Sequence, residues 1–356
     1  MEYKHLKNIA QITMGQSPKS ETYNNKKEGL PFFQGNADFG EISPKVRIWC
    51  SVPKKVAHKN DILISVRAPI GALNIADTEC CIGRGLAAIS VRNIKDRDYI
   101  FNALKAKSEY LKNRGTGSTF KAINKNILED VEIPIVSTEK RDIEIKVLNK
   151  LNIVKKQKEK ELSKLDTLIK ARFVEMFGDP IINTKDLSLV SLGKLCTLKA
   201  GEFTAAKEIH ANKDNINRYP CFGGNGVRGY VDNYTHDGNY SLIGRQGALC
   251  GNVQLTAGKF RNTEHAILVK PNVQVNYYWL FMLLKLEKLN RFSSGAAQPG
   301  LAVKTLNKIF IPIADLNLQN EFASFAQQVD KSKVAIQKSL DETQTLFDSL
   351  MQKYFS

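Results

Sequence analysis

Several features that would indicate a metalloprotein, a secreted protein or a membrane protein are missing from this chain of 356 residues. The six cysteines form no CxxC pair and the five histidines form no HxxxH pair, so zinc binding is not indicated. Because the cysteines follow no regular framework, we expect buried thiols and not disulfides. No stretch reaches the ~18 uncharged apolar residues of a membrane span, and the start lacks the apolar core of a signal peptide. We predict a cytoplasmic protein with no metal and no membrane contact.

Catalytic signatures are missing as well. The chain contains no GxxxxGK[ST] phosphate loop, no GxSxG motif and no Pro-Asp dipeptide to start a common nuclease motif. It also lacks an Asn-Pro-Pro-aromatic tetrapeptide, which would hold a flipped adenine. These absences favour a chain that is not itself an enzyme.

What the chain does have is a near repeat of itself at half its length. The segment GSTFKAINKNILEDVEIPI, from Gly117, returns as GAAQPGLAVKTLNKIFIPI, from Gly295, at an offset of 178 residues. The register holds for about 60 residues without a gap. Earlier parts match more loosely: Gly15 aligns with Gly201, and LPFFQGNADFG aligns with YPCFGGNGVRG. Solenoid repeats have periods of roughly 20 to 50 residues, so a period this long indicates duplicated domains.

The net charge of +16 is concentrated in two segments. Residues 1–138 contain 21 lysines and arginines against 14 acidic residues, and residues 184–315 contain 16 against 9, so each segment is +7. The segments 139–183 and 316–356 together carry only +2. Two equal basic surfaces indicate a long polyanion bound twice, and double-stranded DNA is the usual one. A generally basic soluble protein is the alternative.

Two long helices are predicted after the basic segments, at about 139–177 and 316–356. Glycine and proline are absent from the first until Gly178-Asp179-Pro180, a signal that ends a helix. At 1.5 Å per residue, each would be ~57 Å long. A narrow apolar stripe on each predicts an antiparallel, coiled-coil-like pair with a pseudo-two-fold axis, and the alternative is that each helix packs on its own domain. The stripe, a helix–helix or partner interface, comprises Val147, Leu151, Val154, Leu162, Leu165, Leu168, Val329, Ile336, Leu340, Leu346 and Leu350.

The two basic segments are predicted to be similar mixed α/β domains. Short β-branched runs such as DILISV, LAAISV, YSLIG and HAILV alternate with turns rich in glycine, asparagine and proline, and a helical stretch precedes each IPI strand. The predicted class is therefore α+β. We divide the chain into a first domain (1–138), a central long helix and linker (139–183), a second domain (184–315) and a C-terminal long helix (316–356).

A glycine-rich stretch, CFGGNGVRG, matches two cofactor patterns. Gly224, Gly226 and Gly229 satisfy GxGxxG, while Phe222, Gly224 and Gly226 satisfy FxGxG, which occurs in S-adenosylmethionine pockets. A dinucleotide site needs a strand before the glycines and a helix that opens on them, whereas the residues that follow here predict a hairpin. We favour a turn in a DNA-facing loop, with a cofactor pocket as the alternative.

Candidate DNA contacts are amides, hydroxyls and basic side chains close to glycines. Such groups pair with base edges and phosphates, and glycine permits close approach to the backbone. An ordinary loop or capping role is the alternative for each of them. The candidates are Gln16, Ser17, Lys19, Gln34, Asn36, Arg67, Arg84 and Lys121 in the first domain and Asn225, Arg228, Arg245, Gln246, Arg261, Thr263 and Gln298 in the second.

In the order and duplication of its motifs the chain resembles the specificity (S) subunit of type I restriction-modification enzymes. The resemblance covers essentially the whole chain and depends on ITMGQSP, GLPFFQGNADFG, IKARFVEMFGDP and the two IPI segments. It implies that each domain is a target-recognition domain for one half of a bipartite, asymmetric DNA site, and that the helices act as a molecular ruler. It also implies two docked adenine-methyltransferase (modification) subunits that bind S-adenosylmethionine, further restriction subunits, and no catalytic, cofactor or metal site in this chain. The alternatives are a stand-alone DNA adenine methyltransferase and a coiled-coil scaffold that binds no DNA.

Overall fold

The computed structural model of the protein describes residues 2–117, 121–295 and 299–355. The chain forms two compact units, Met1–Glu159 with Lys338–Ser356 (unit 1) and Lys160–Gln337 (unit 2). The content is mixed, with 40% helix and 25% strand, which confirms the predicted class. Each unit combines a globular domain with part of both long helices, so the four-part division of the chain stays a prediction.

Unit 1 is built from short strands, three domain helices and parts of the long helices. Its strands are β1 (Glu2–His5), β2 (Gln11–Met14), β3 (Tyr23–Asn24), β4 (Leu30–Phe33), β5 (Ile48–Cys50), β6 (Val56–Ala57), β7 (Ile62–Ser65), β8 (Leu73–Ile75), β9 (Cys80–Ile82), β10 (Leu86–Ser90) and β11 (Glu132–Ile135). Its domain helices are α1 (Ile94–Ala106), α2 (Ser108–Arg114) and α3 (Lys125–Glu129), with 3-10 turns at Leu6–Asn8, Ser20–Thr22 and Asn36–Asp38. The long helices are α4 (Thr138–Phe177) and α8 (Leu316–Phe355).

Unit 2 has the corresponding elements. Its strands are β12 (Leu189–Ser191), β13 (Cys196–Ala200), β14 (Tyr219–Gly223), β15 (Gly226–Val231), β16 (His236–Asp237), β17 (Ser241–Gly244), β18 (Val253–Leu255), β19 (Lys259–Asn262), β20 (Ala266–Pro271) and β21 (Phe310–Pro312). Its helices are α5 (Leu192–Leu195), α6 (Tyr277–Leu286) and α7 (Val303–Leu306), with 3-10 turns at Ala206–Glu208 and Leu289–Phe292.

The two units share one sheet topology, except that the second sheet has five strands in the described part of unit 1 and four in that of unit 2. Unit 1 has the strand orders β2-β10-β7-β8 and β3-β5-β4-β9-β6, and β1 pairs with β11; unit 2 has β13-β20-β17-β18 and β15-β14-β19-β16, and β12 pairs with β21. β4 runs parallel to β9 with Phe33 opposite Ile82, and β14 runs parallel to β19 with Phe222 opposite Asn262. These registers align the units residue by residue, so Phe33 corresponds to Phe222 and Ile82 to Asn262.

Asparagine starts the domain helix of each unit. The Asn93 side chain accepts a hydrogen bond from Asp96 N at the start of α1, and Asn276 accepts from the backbone of Tyr278 and Trp279 at the start of α6. These caps satisfy backbone N–H groups that have no partner within the helix. Both helices lie in the stretches where the sequence predicts them.

All six cysteines are buried free thiols, as predicted. Burial raises the pKa of the Cys80 and Cys196 thiols to about 12, so both stay protonated and unreactive near neutral pH. Among the helices of the described ranges, none is both long and apolar enough to cross a membrane.

Within unit 2 the long helices pack side by side and run antiparallel. The Phe173 ring on α4 lies 5.2 Å from Phe322 on α8. From Asp166, which pairs with Lys333 at 2.7 Å, to Arg172, which pairs with Glu321 at 3.1 Å, residue numbers rise on α4 and fall on α8. The predicted antiparallel pairing is confirmed.

Unit 1 shows the same pairing with other residues. Leu148 on α4 is buried in one apolar cluster with Phe347, Met351 and Phe355 on α8. Further along α4, the Lys155 ammonium lies 5.2 Å from the centre of the Phe347 ring and donates a hydrogen bond to Gln344. The domain contributes to this cluster as well, because the Tyr99 ring on α1 lies 5.1 Å from Phe355.

Two residues of the predicted apolar stripe are exposed. Leu168 is 45% exposed and Leu346 is 49% exposed, while their neighbours Ile169 and Phe347 are buried. A stripe with a period of 3.5 residues drifts by about 20° per heptad around a helix of 3.6 residues per turn, so it leaves the contact face. Val329 is buried, and the other predicted positions, Val147, Leu151, Val154, Leu162, Leu165, Ile336, Leu340 and Leu350, are half-buried.

Candidate nucleic-acid interface

In unit 1 several loops meet around the segment that joins β9 to β10. Gly83 N donates to Phe33 O at 2.8 Å, and Gly85 N donates to Gln34 O at 3.1 Å. From the loop after β2, Gly15 N donates to Leu86 O at 2.9 Å. Backbone groups alone therefore join the loops that follow β2, β4 and β9.

Two further loops join this group from the other side. Val66 N, at the end of β7, donates to Gly85 O at 2.9 Å. Ile123 N, after the Gly117 segment, donates in turn to Val66 O at 2.9 Å. We call the resulting set, residues 15–17, 34–36, 66–67, 83–85 and 121–123, the loop frame of unit 1.

Unit 2 has an equivalent loop frame, residues 201–203, 223–225, 245–246, 263–265 and 299–301. Thr263 N donates to Phe222 O at 2.8 Å, as Gly83 does to Phe33. Arg245 N donates to His265 O at 2.9 Å, and Leu301 N donates to Arg245 O at 2.8 Å. Gly201 N completes the set with a bond of 3.2 Å to Ala266 O.

The first loop of each frame requires glycine. A Cβ atom on Gly15 would lie 2.1 Å from Gly83 O, and one on Gly201 would lie 2.1 Å from Asn262 O. Both contacts are to backbone atoms, which cannot move aside without breaking the frame. Each glycine thus allows a close approach to backbone at the end of the facing strand, at Gly83 just after β9 and at Asn262, the last residue of β19.

On the frame of unit 1, the predicted residues Ser17, Gln34 and Arg84 come together. Ser17 Oγ lies 3.1 Å from Gln34 Oε1 and 3.0 Å from its Nε2, and it accepts a hydrogen bond of 3.3 Å from Arg84 N. The Arg84 side chain is exposed. Of the other candidates, Gln16, Lys19, Arg67 and Lys121 are exposed and Asn36 is half-buried.

On the frame of unit 2, Asn225, Arg228 and Gln246 line one shallow cavity of about 400 Å³. Asn225 Oδ1 accepts a hydrogen bond of 3.2 Å from Asn252, and Gln246 Oε1 lies 3.1 Å from His265 Nδ1. Arg245 is half-buried beside them. Gln298 lies outside the described residues.

Thr263 and Arg261 do not face solvent as predicted. Thr263, which takes the place of Gly83, is fully buried. The Arg261 side chain is only 15% exposed and pairs with Glu202 at 3.6 Å; it also donates hydrogen bonds to Thr204 and Asn233. Arg261 therefore ties loops together, and its contact with DNA stays a prediction.

Three residues of the second frame, Phe203, Glu264 and His265, are not among the DNA contacts predicted from the sequence. Phe203 is 75% exposed, and His265 bridges Gln246 to Glu264, whose Oε1 lies 3.0 Å from His265 Nε2. The alignment of Gly15 with Gly201 places Phe203 opposite Ser17 and offered the signal for that residue. No signal in the sequence marked the histidine bridge, since it depends on two loops that meet in space.

The glycine-rich stretch is part of a hairpin. Gly224 and Asn225 form the turn between the antiparallel strands β14 and β15, and Gly226 has φ +104°. A strand follows the glycines, where a dinucleotide site would have a helix. Among the described residues, no group of three histidine, cysteine, aspartate or glutamate side chains could hold a metal ion.

Comparison with known proteins identifies the family. A family model described as "Type I restriction modification DNA specificity domain" matches residues 1–169 and again 184–343. The chain belongs to this family. The two matches reproduce the internal repeat, and specificity subunits of this family recognise DNA sequence.

Relatives of the specificity subunit support the assignment. The chain is 30% identical over 275 residues to the "Type I restriction enzyme EcoprrI specificity subunit" of Escherichia coli, covering 72% of this chain and 68% of that protein. It is 46% identical over 156 residues to a putative MjaX specificity subunit of Methanocaldococcus jannaschii, covering 42% and 36%. The S subunit structure from M. genitalium has a TM-score of 0.62 at 17% identity and covers 100% of this chain and 96% of that one, which shows a shared fold.

Proposed function

We propose that each unit of this specificity subunit reads one half of a bipartite, asymmetric target in double-stranded DNA. One observation carries the proposal: four backbone hydrogen bonds of the unit 1 frame recur at equivalent positions in the unit 2 frame, while the side chains that the two frames carry differ. Aligned through the strand registers, the pairs of equivalent residues are Gln16 and Glu202, Ser17 and Phe203, Arg67 and Gln246, Arg84 and Glu264, and Gly85 and His265. One frame with two sets of side chains suits the reading of two different base sequences.

Charge supports contact of each domain with the phosphate backbone. Each globular segment carries a net charge of +7. On the frames, the side chains of Arg67 and Arg84 in unit 1 and Arg228 in unit 2 are exposed. Phosphate contacts position a protein on DNA, while amide and guanidinium groups at base edges supply specificity.

The long helices are proposed to set the spacing between half-sites and to dock two modification subunits. Each helix is 40 residues long and uninterrupted. Leu168 on α4 and Leu346 on α8 occupy equivalent positions, 178 residues apart, and both are exposed. Two equivalent apolar positions suit two copies of one partner.

In this proposal the chain itself catalyses nothing and binds no cofactor. S-adenosylmethionine binds to the modification subunits, which methylate adenine, and restriction subunits join the same complex. A stand-alone adenine methyltransferase is the rival function. Titration of the isolated chain with S-adenosylmethionine separates the two, and we expect no binding.

The decisive experiment is methylome sequencing of cells that produce this chain with its modification partner. We expect one bipartite motif whose two halves differ. A motif without a spacer, or with identical halves, would contradict the proposal. The absence of any sequence-dependent methylation would favour a scaffold that does not bind DNA.

The spacing role is tested by insertion. Four residues inserted after Lys158 in α4, with four after Ile336 at the matching position in α8, lengthen each helix by about 6 Å at 1.5 Å per residue. We expect the spacer to grow by about two base pairs, since B-DNA rises 3.4 Å per base pair. An unchanged spacer in a folded, active complex would contradict the proposal that the helices set the spacing between the half-sites.

A further inference from the structure

Two exposed glutamines on the loop frames are each held by a neighbouring side chain. The amide of Gln34 lies 3.1 Å (Oε1) and 3.0 Å (Nε2) from the hydroxyl of Ser17. The amide oxygen of Gln246 lies 3.1 Å from Nδ1 of His265. Exposed glutamines usually sample many rotamers, so a fixed amide at the surface needs an explanation.

The holding groups are themselves fixed. Ser17 Oγ accepts a hydrogen bond of 3.3 Å from the backbone of Arg84, within the frame. The other ring nitrogen of His265, Nε2, lies 3.0 Å from Glu264 Oε1. Each glutamine is therefore the outermost member of a short chain of polar contacts that starts at the frame.

The backbone of Gln34 is held as well. Its backbone N donates to Asp38 Oδ2 at 2.8 Å, and its carbonyl accepts from Gly85. Its side chain lies over Gly83, where an added Cβ would come within 2.6 Å of Oε1. The amide of this exposed residue is therefore held at its backbone by Asp38 and Gly85 and lies against Gly83 on one side.

A primary amide has two donors and two acceptor positions. The two contacts of Gln34 with Ser17 leave one donor and one acceptor position, and the single contact of Gln246 with His265 leaves two donors and one acceptor position for a ligand. The ligand edge that matches an amide in DNA is the N6 and N7 edge of adenine in the major groove. Holding the amide beforehand removes part of the entropy cost of ordering it on binding.

We propose that Gln34 and Gln246 read adenine, one in each half of the target, and that Ser17 and His265 are positioning residues for them. This inference rests on the proposed function. The two glutamines are not equivalent in the frame, because Gln34 corresponds to Gly223 and Gln246 corresponds to Arg67. The two adenines therefore lie at different positions relative to their domains.

The test uses the complete complex of this chain with its modification partner. Methylomes and duplex affinities are measured for the wild type and for Gln34→Ala, Gln246→Ala and the control Gln274→Ala, an exposed glutamine outside both frames. We expect Gln34→Ala to lose roughly tenfold discrimination at one adenine of one half-site, with the other half-site unchanged. Gln246→Ala does the same in the other half, and the control changes nothing.

Replacement of single adenines by 7-deazaadenine locates each contact. The base lacks the N7 acceptor, so at the adenine read by Gln34 it weakens binding by the wild type and not by Gln34→Ala. If no adenine behaves in this way for either glutamine, the inference is wrong.

The positioning role of Ser17 is tested by epistasis and rescue. Ser17→Ala should relax the same base position as Gln34→Ala, the double variant should be no worse than Gln34→Ala, and Ser17→Thr, which keeps the hydroxyl, should restore discrimination. A uniform loss of affinity in Ser17→Ala, without a change of motif, would show a merely structural role. A specific wild-type complex whose motif is unchanged by both glutamine variants overturns this inference alone, whereas a wild type without sequence preference overturns the proposed function.

Discussion

At the scale of single residues, equivalent positions of the two units perform different tasks on the same backbone. Gln34 lies over Gly83 in unit 1, whereas in unit 2 the equivalent of Gly83 is Thr263, which is fully buried, and the equivalent of Gln34 is Gly223. Residue type alone proposes Ser17, Gln34 and Thr263 equally as DNA contacts. The exposure of each depends on the loops that pack around it, and their role in DNA binding stays a prediction.

Gly15→Ala should destabilise unit 1 by disrupting its frame. The new Cβ would lie 2.1 Å from Gly83 O, a backbone atom, so we expect a loss of about 1–3 kcal/mol in the free energy of unfolding. Chemical denaturation measures the loss. Gly35→Ala is the matched control, because a Cβ there has no atom within 4 Å. Equal stability of both variants would contradict the close approach.

Glu144→Gln should stabilise the protein above neutral pH. Glu144 is 4% exposed, its Oε2 has no hydrogen-bond partner, and burial raises the pKa of its carboxyl above the usual 4.5. The folded state binds this proton more tightly than the unfolded state. The contribution of the protonated form is therefore complete below pH 4.5 and is lost as the pH rises through the raised pKa.

The neutral amide avoids this loss, so we expect Glu144→Gln to gain about 1 kcal/mol at pH 8 and less at pH 5. Thermal unfolding at the two pH values checks the difference. Glu159→Gln, at an exposed position of the same helix, should change stability by less than about 0.5 kcal/mol. A larger gain in stability at pH 5 than at pH 8 would contradict the predicted direction of the pH dependence.

At the scale of elements, the existence and length of the long helices could be predicted, whereas the face by which they pair could not. The absence of glycine and proline up to Gly178 fixes where α4 ends. The rotational position of a helix depends on the contacts of all its turns. Of the predicted helix–helix or partner interface, Val329 is therefore buried while Leu168 and Leu346 are exposed. Strands β7 and β10 could also be predicted, because each is a short and almost wholly buried run of apolar residues.

Leu168→Glu should weaken docking of a modification subunit without unfolding the chain. The side chain is 45% exposed, so we expect a stability change below about 0.5 kcal/mol. Phe173→Ala, one turn further and fully buried, should instead cost about 3–5 kcal/mol.

Native mass spectrometry of the complex checks the docking. We expect Leu168→Glu to leave one modification subunit bound, Leu346→Glu to do the same, and the double variant to bind none. Two bound subunits in the double variant would exclude this face as the docking surface.

At the scale of the whole molecule, the duplication and the division of charge could be predicted from the sequence, because each depends on many residues together and not on any single one. The role of a single loop residue was not, because it depends on contacts between loops far apart in the chain, such as Ser17 with Arg84 N or Gln246 with His265. The sequence therefore indicates the class of ligand, whereas the arrangement of the candidate contact residues follows only from the folded loops.

Binding of the complex to its target should weaken steeply with salt. A protein that makes about 6–10 phosphate contacts loses roughly 10³–10⁵ in affinity between 50 and 200 mM salt. Two domains of net charge +7 suit a count in this range. Fluorescence anisotropy at several salt concentrations measures the slope, and a flat dependence would rule out the basic surfaces as the DNA-binding faces.

The close approach at Gly15 and Gly201 has a consequence for the history of such a protein. The loops hold one another through peptide groups, which every residue supplies, and geometry demands glycine at the crossing. A lineage can therefore exchange the exposed side chains one at a time while the loops keep their course. The target of the protein can drift freely, and its architecture is inherited unchanged.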